Sequence, residues 1–383
     1  MLDAEVLLRA AEAETGLSDY GDPTLPDRFR LVAARLRAAG LDAAGVRAAA
    51  AICHEQLVAR LRFFEDRKRY PIAEEVVEAP LFATGEPRCG TTLLHALLAL
   101  DPNGRSLRFW ELEHPSPPPG LAGPDDPRRG LSDDYWRDAN RRIPLWLVSH
   151  PYNDMLGDGI PECERAWAFD FRHMGPTVWW RAPVPMQMSG LPTDPRVQYR
   201  LHRMVLQHCQ YGRPKRYWTL KGFHSGKLDA LFEVYPDARV IWIHRDPVQC
   251  IASRIAMVGA LDEGATGRPQ DWKAAAAYWL GVSRASIQAG LASPHLTDPR
   301  VHHVRYPDFT ADPVGVVRGF YEMAGKPFTP EFEAAMRGYL ASNRGDRYGR
   351  FEYSLDVIGE DVEALNAEFA PYRERFGLEV ERR

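Results

Sequence analysis

Residues 81–95 read LFATGEPRCGTTLLH: a short apolar run, a glycine-bounded loop and the start of a second apolar run. Gly85 and Gly90 have the spacing of the phosphate-binding loop G-x-x-x-x-G-K-[ST], but Thr91 stands where that loop carries lysine. Backbone amides at a strand-to-helix turn point at an oxyanion, and the helix N-terminus adds partial positive charge. The stretch therefore predicts a strand over 81–84, an anion-binding loop containing Arg88, and a helix through Leu93, Leu94, Leu97 and Leu98 that ends at Pro102. The bland alternative is a tight turn after a strand.

Two chemistries fit this loop poorly. A kinase or ATPase needs the loop lysine on its phosphates and a carboxylate for magnesium, yet the later strand ends VIWIHRDP, with Asp246 beside His244 and Arg245. A cysteine phosphatase would place arginine six residues after Cys89, where this chain has His95. Cys89 then reads as a small loop residue whose place at a helix start would lower its pKa and make it modifiable.

Outward from the loop, apolar periodicity sets the frame. Val46, Ala50, Cys53, Leu57, Leu61 and Phe64 fall on one helical face, so residues 1–78 read as a helical N-terminal extension. Residues 79–383 read as the main α/β domain, with strands near LFAT, RYWTLK, ARVIWI and RVHHVRY separated by helices. Alternation of this kind implies a parallel sheet covered by helices on both faces. Residues 103–195, rich in turn residues such as HPSPPPGLAGPDDPRRG, read as irregular insertions around a site, with one helix over 161–170.

Composition excludes several classes. The chain has 383 residues, 45% hydrophobic and 26% charged, which is enough for a large buried core. A formal charge of −4 gives no support to nucleic-acid binding. The longest uncharged apolar run, GTTLLHALLAL, is about half of the ~20 residues a membrane helix needs, so no membrane span is expected. Five scattered cysteines without a CxxC pair suit a reducing cytoplasm and argue against a zinc cage. The N-terminus lacks the pattern of a secretory signal, so a cytoplasmic location is expected.

Four segments together carry a family resemblance: GEPRCGTTLLHALLALDP, WTLK, YPDARVIWIHRDPVQCIAS and VRYPDFTADP. Over roughly residues 25 to 377 the chain resembles sulfotransferases that use 3′-phosphoadenosine 5′-phosphosulfate (PAPS), specifically the bacterial branch with a helical N-terminal extension. The resemblance implies a P-loop-type α/β fold and transfer of a sulfuryl group, with 3′-phosphoadenosine 5′-phosphate (PAP) as product. A sulfuryl group carries one negative charge where a terminal phosphoryl carries about two, so fixed cations and amides can assist its transfer, and no metal is expected.

By position in the motifs, Arg88, Cys89, Gly90, Thr91, Thr92 and Leu93 would wrap the 5′-phosphosulfate, and Arg88 would also stabilise charge on the leaving oxygen. Arg245 and Ser253 match the family's 3′-phosphate clamp, an arginine fork plus a hydroxyl; a structural ion pair of Arg245 with Asp246 is the alternative. Tyr306 matches a tyrosine near adenine, and a core tyrosine is nearly as good a reading. Lys221 would face the sulfuryl group, although Lys221-Gly222-Phe223-His224-Ser225 departs from the family's usual continuation. NRGDRYGRFEYS resembles a loop that closes over the nucleotide, making Arg344, Arg347 and Tyr348 contacts or a solvated basic loop.

The acceptor must lose a proton as it attacks, so a base should stand opposite Arg88. RSLRFWELEHP offers Glu111, right after the strand-like SLRFW, and His114, with intrinsic pKa values of ~4.3 and ~6.5. Glu111 falls closest to the family glutamate and is the first choice, followed by His114. His150, Glu162 and Glu164 complete the set. Trp136, Trp146, Trp167, Trp179 and Trp180 either wall an apolar acceptor site or belong to the core. The expected partner is a small-molecule acceptor (an organic molecule, lipid or glycan bearing a hydroxyl or amine), with a homodimer left open. A nucleotide kinase or NTPase, and a non-catalytic PAP-binding scaffold, remain as alternatives.

Overall fold

β1, Leu81–Gly85, is buried along its whole length, as an apolar strand in the middle of a parallel sheet must be. The computed structural model of the chain describes residues 2–123, 125–152, 154–172, 191 and 193–382. β1 pairs in parallel with β3, Tyr217–Lys221, on one side and β4, Arg239–His244, on the other, with Phe82 opposite Leu220 and Val240. The short β2, Gly104–Arg105, and β5, Val301–Arg305, complete the order β2-β3-β1-β4-β5. The carboxyl ends of β1, β3 and β4 thus open side by side, and ligands of open α/β sheets bind at such ends.

Helices cover both faces. On one side Phe82, Leu220, Val240 and Trp242 pack with Trp167, Tyr199, Leu206 and Leu231. On the other, Leu81, Ala83, Ile241 and Ile243 pack with Leu94, Leu97, Val317 and Phe320. Along each strand alternate residues serve opposite cores, the period-two geometry of a pleated strand. The parallel sheet covered by helices, expected from the alternating strands and helices, is the observed one, and it has the P-loop-type α/β form that the resemblance implies.

The N-terminal helices Ala4–Thr15, Leu25–Ala38 and Ala43–Arg69 form their own apolar cluster around Leu25, Phe29, Cys53, Leu57 and Leu61. One polar tie to the rest of the fold is Asp170. The Asp170 carboxylate accepts from Arg28 and Arg60, each at 2.8 Å, and also from Arg172. Burial pulls the Arg60 guanidinium down to about 10. Removing the charge from such a node strands buried cations, so Asp170→Asn is expected to cost about 3 kcal/mol, read as a lower urea midpoint in equilibrium unfolding.

The segment 103–195 departs from the expectation of irregular insertions. It contains a 16-residue helix, Pro127–Arg142, begun by the Asp126 side chain accepting from the Arg128 amide and by proline at the first helical position. Those Asp-Pro residues read as a turn, yet they are equally a helix start. SLRFW is not a strand either: Phe109 and Trp110 open the helix Phe109–Glu113. The turn over Cys163–Asp170 is 3-10, and the C-terminal helical run divides into Val362–Glu368 and Ala370–Phe376 around Pro371.

Candidate active site

The loop after β1 is shaped by close approach. A Cβ at Gly85 would lie 2.6 Å from the Ile243 carbonyl oxygen and 2.4 Å from Cys89 Sγ, so only glycine lets β1 run this close to β4. Arg88 takes φ 78° and Gly90 φ 94°, left-handed conformations that make the tight turn from β1 into the next helix. Thr91 then starts the helix Thr91–Leu98. Cys89 is fully buried, and burial pushes its thiol up to about 12. The expected lowering by the helix start is overridden by desolvation, and Cys89 is a packing residue.

Arg88 joins the two principal motifs. Its Nε donates to Ser253 Oγ at 3.1 Å and its Nη1 to the Ser149 carbonyl at 2.9 Å, while its own carbonyl accepts from Arg245 Nη1 at 2.9 Å. Among the described residues no carboxylate pairs with Arg88, and desolvation lowers its pKa. A desolvated guanidinium held by neutral oxygens is poised for an external anion.

Arg245 has a different environment. Its Nε and Nη2 donate to the two carboxylate oxygens of Glu381 at 2.8 and 2.7 Å, a bidentate pair. Glu381 is itself anchored, its amide donating to Asp246 at 2.9 Å and its carbonyl accepting from Gln249 at 2.8 Å. The Arg245 guanidinium lies 4.3 Å from the centroid of the half-buried Tyr306 ring. Asp246 pairs with Arg373 and caps the following helix. Glu381 left no signal in the sequence, because only the folded tail brings it to the strand end.

At the end of β3, Lys221 is buried and paired with Glu162. Glu164 accepts from the Phe223 amide at 3.0 Å and leaves Oε2 without a partner. His150 stacks on Trp146 at 3.8 Å, and its Nδ1 lies 2.9 Å from Ser149 Oγ. The Ser149 hydroxyl points at the Trp146 carbonyl, 3.1 Å away. If that single proton is so directed, Ser149 accepts from Nδ1–H and the His150 Nε2 keeps its lone pair. Burial and the nearby Arg88 and Lys221 hold His150 well below the usual 6.5, hence neutral at physiological pH.

The two preferred bases lie elsewhere. Glu111 is 1% exposed, and its carboxylate accepts from Arg105 at 2.7 Å, Arg213 at 3.0 Å and the Arg108 amide at 3.1 Å. It is the third residue of a short helix, closing a capping box, and does not line the cavity. His114 ends that helix, its carbonyl accepting from Arg128, and does not line the cavity either. Sequence distance from the loop could not show that Glu111 would be claimed by arginines on separate elements.

A cavity of about 880 Å³ receives these groups. One part is lined by Arg88, Gly90 to Leu93, Arg245, Ser253 and Tyr306, and another by Phe109, Trp136, Trp146, Trp167 and Trp279. The volume is near the upper end of the ~300–1,000 Å³ typical of ligand clefts. Trp136, Trp146 and Trp167 therefore serve both core and cavity, while Trp179 and Trp180 lie outside the described residues. Of the loop near 343–350, Arg344 pairs with Asp346, and Arg347 with Asp154 and the Pro151 carbonyl. Tyr348 donates to Asp154. None of the three lines the cavity; Gly345, Asp346, Gly349, Arg350, Phe351 and Tyr353 do. Phe351 lies 5.5 Å from the Arg88 guanidinium. Among the described residues no group of three His, Cys, Asp or Glu side chains could hold a metal, and no helix is long and apolar enough to cross a membrane.

Known proteins resemble the chain over most of its length. Over 304 residues the chain is 25% identical to the omega-hydroxy-beta-dihydromenaquinone-9 sulfotransferase Stf3 of Mycobacterium bovis and Mycobacterium tuberculosis, covering 74% of this chain and 73% of the relatives. The crystal structure of sulfotransferase STF9 from Mycobacterium avium superposes with a TM-score of 0.83 at 28% identity, covering 100% of this chain and 99% of that one. Sulfotransferase STF1 from Mycobacterium tuberculosis H37Rv shares the fold, with a TM-score of 0.67 at 24% identity over 96% of this chain and 98% of that one. Residues 80–330 match the Sulfotransferase family. With loop, sheet and strand-end arginine in their places, the chain belongs to the sulfotransferase family.

Proposed function

We propose that the protein moves a sulfuryl group from PAPS to a hydroxyl or amine of an apolar organic acceptor. The observation that carries this reading is the hydrogen-bonded join of the two motifs, Arg88 to Ser253 and Arg245 to the Arg88 carbonyl. It groups the loop suited to a phosphosulfate with the arginine and hydroxyl suited to a 3′-phosphate. When bound, PAPS supplies the sulfuryl group. Arg88 and the loop amides neutralise charge on the donor's oxygens, Tyr306 offers a ring beside Arg245 for the base, and Lys221 faces the same cavity from β3.

For the base we assign His150, whose Nε2 is free to take the acceptor proton, in place of Glu111. Glu162, held by Lys221, positions that lysine. The aromatic walls suit an apolar acceptor, and the name of the Stf3 relatives specifies an omega-hydroxyl. Residues 1–78 read as a helical extension and 79–383 as the catalytic unit. Five buried, unbridged cysteines fit the cytoplasm.

Calorimetric titration with PAP, adenosine 5′-phosphosulfate, ADP and ATP tests the donor. PAP should bind at least about tenfold more tightly than ADP, because only PAP offers a 3′-phosphate to the fork. Arg245→Ala should weaken PAP by about 30-fold and leave ADP unchanged. Since a phosphate must displace Glu381 from Arg245, Glu381→Gln should tighten PAP several-fold without affecting ADP. Equal affinity of the wild type for PAP and ADP would sink the 3′-phosphate assignment.

A further inference from the structure

One guanidinium lining the cavity, that of Arg254, is not used by the transfer reaction. Arg254 follows Ser253 on the helix Pro247–Thr266, lines the cavity, and lies 4.3 Å from the centroid of the Trp279 ring. Its Nη1 donates to Ser283 Oγ at 3.2 Å, and among the described residues no carboxylate lies within salt-bridge distance of it. Desolvation lowers its pKa. Cations in dry surroundings are ordinarily paired.

Next to it in the same cavity stands Glu86, 7% exposed. Ser286 Oγ donates to Glu86 Oε1 at 2.6 Å, while Oε2 is buried without a partner. Burial raises the Glu86 pKa against the pull of the Ser286 hydrogen bond and the Arg254 charge, and in the acid form Oε2 is a hydrogen-bond donor. Trp279, Ser283 and Ser286 recur at helical spacing on Trp272–Leu291, so one helix face presents the ring and both hydroxyls to this corner. Around it the lining is apolar: Met257, Val258, Leu261 and Val282. A polar corner, with a cation that meets no carboxylate within salt-bridge distance among the described residues and a carboxyl oxygen without a hydrogen bond, is thus set beside an apolar wall.

We infer that Arg254 and Glu86 form a specificity subsite that reads a carboxylate on the acceptor, separate from the hydroxyl or amine that takes the sulfuryl group. The inference rests on the reading of this cavity as a sulfuryl-transfer site. Arg88 has the donor's anion for its partner; Arg254 needs one from the other ligand. A carboxylate accepts two parallel bonds from a guanidinium fork and one from a protonated Glu86, whereas an ester lacks the charge. The acceptor is then a hydroxy acid or amino acid derivative with an apolar body.

The test titrates the full chain, with and without saturating PAP, with omega-hydroxy fatty acids and para-hydroxyphenyl alkanoic acids, each beside its methyl ester. At least one acid should bind about tenfold or more tightly than its ester, the range for a hydrogen bond to a charged group. Arg254→Met should erase that preference while leaving PAP affinity unchanged, and Arg254→Lys should keep only part of it. Glu86→Gln, which still donates, should retain the preference, and Glu86→Leu should reduce it several-fold. Thermal melts show that each variant is folded, and Arg254→Gln serves if the methionine variant is not. Acids that bind no better than esters, binding of neither class, or a preference that survives in Arg254→Met or its substitute overturns the inference. Failure of the wild type to bind PAP would instead strike the donor assignment, and the acid–ester comparison without nucleotide would still decide this one.

Discussion

Replacing His150 with alanine is expected to lower kcat about a thousandfold while PAP still binds with wild-type affinity. The imidazole is fixed from two sides, by stacking on Trp146 and by Nδ1 against Ser149, so its remaining nitrogen has one direction in which to act. Ser149 also supplies the carbonyl that accepts from Arg88, so one residue holds both the cation and the base. The pH profile gives a second reading. Burial and Arg88 depress the His150 pKa well below 6.5, so the proton-accepting form persists as pH falls. Turnover at saturating substrate should therefore stay level from about pH 8 to about pH 6, where an unperturbed histidine base would already be losing activity. A kcat profile with an inflection near the ordinary histidine value, or an active His150→Ala enzyme, would return the role to another group.

The second large effect is expected at Arg88. Arg88→Ala should reduce kcat several hundredfold, the scale found when one preorganised donor to developing charge is lost. It should change the acceptor's KM little, because the side chain faces Ser253 and the Ser149 carbonyl on the loop side. Arg88→Lys should recover little of the loss. A lysine ammonium cannot contact Ser253 and the Ser149 carbonyl while still presenting a planar edge to the donor. Single-turnover transfer from labelled PAPS measures both variants, and normal turnover in Arg88→Ala would refute the assignment.

Residues whose role depends on their own local geometry were legible before the fold was known. Gly85 and Gly90 set a loop that no larger residue could form, and the motif order placed Arg88, Arg245, Ser253 and Tyr306 at one end of the sheet. The helix Pro127–Arg142 was misread because Asp126-Pro127 signals a turn and a helix start with the same residues. Glu111 looked free in the text. In the fold its carboxylate accepts from Arg105 nearby and from Arg213, about a hundred positions later, and that second arginine is not visible from the motif. Cys89 likewise met the requirement of a helix start, but its burial reverses the electrostatic consequence.

By itself, then, the sequence determined the parallel α/β frame, the glycine-bounded loop and the strand-end arginine, because each follows from backbone sterics, apolar period or contiguous spacing. Tertiary structure alone decided which polar groups face the cavity and which are already satisfied. It put Glu381 on Arg245, kept Glu111 away from the cavity, brought His150 to its wall and left Arg254 without a salt-bridging carboxylate among the described residues. The physical reason is that a charged side chain's role is set by its desolvation and by its nearest counter-charge, and both are properties of residues far apart in the chain.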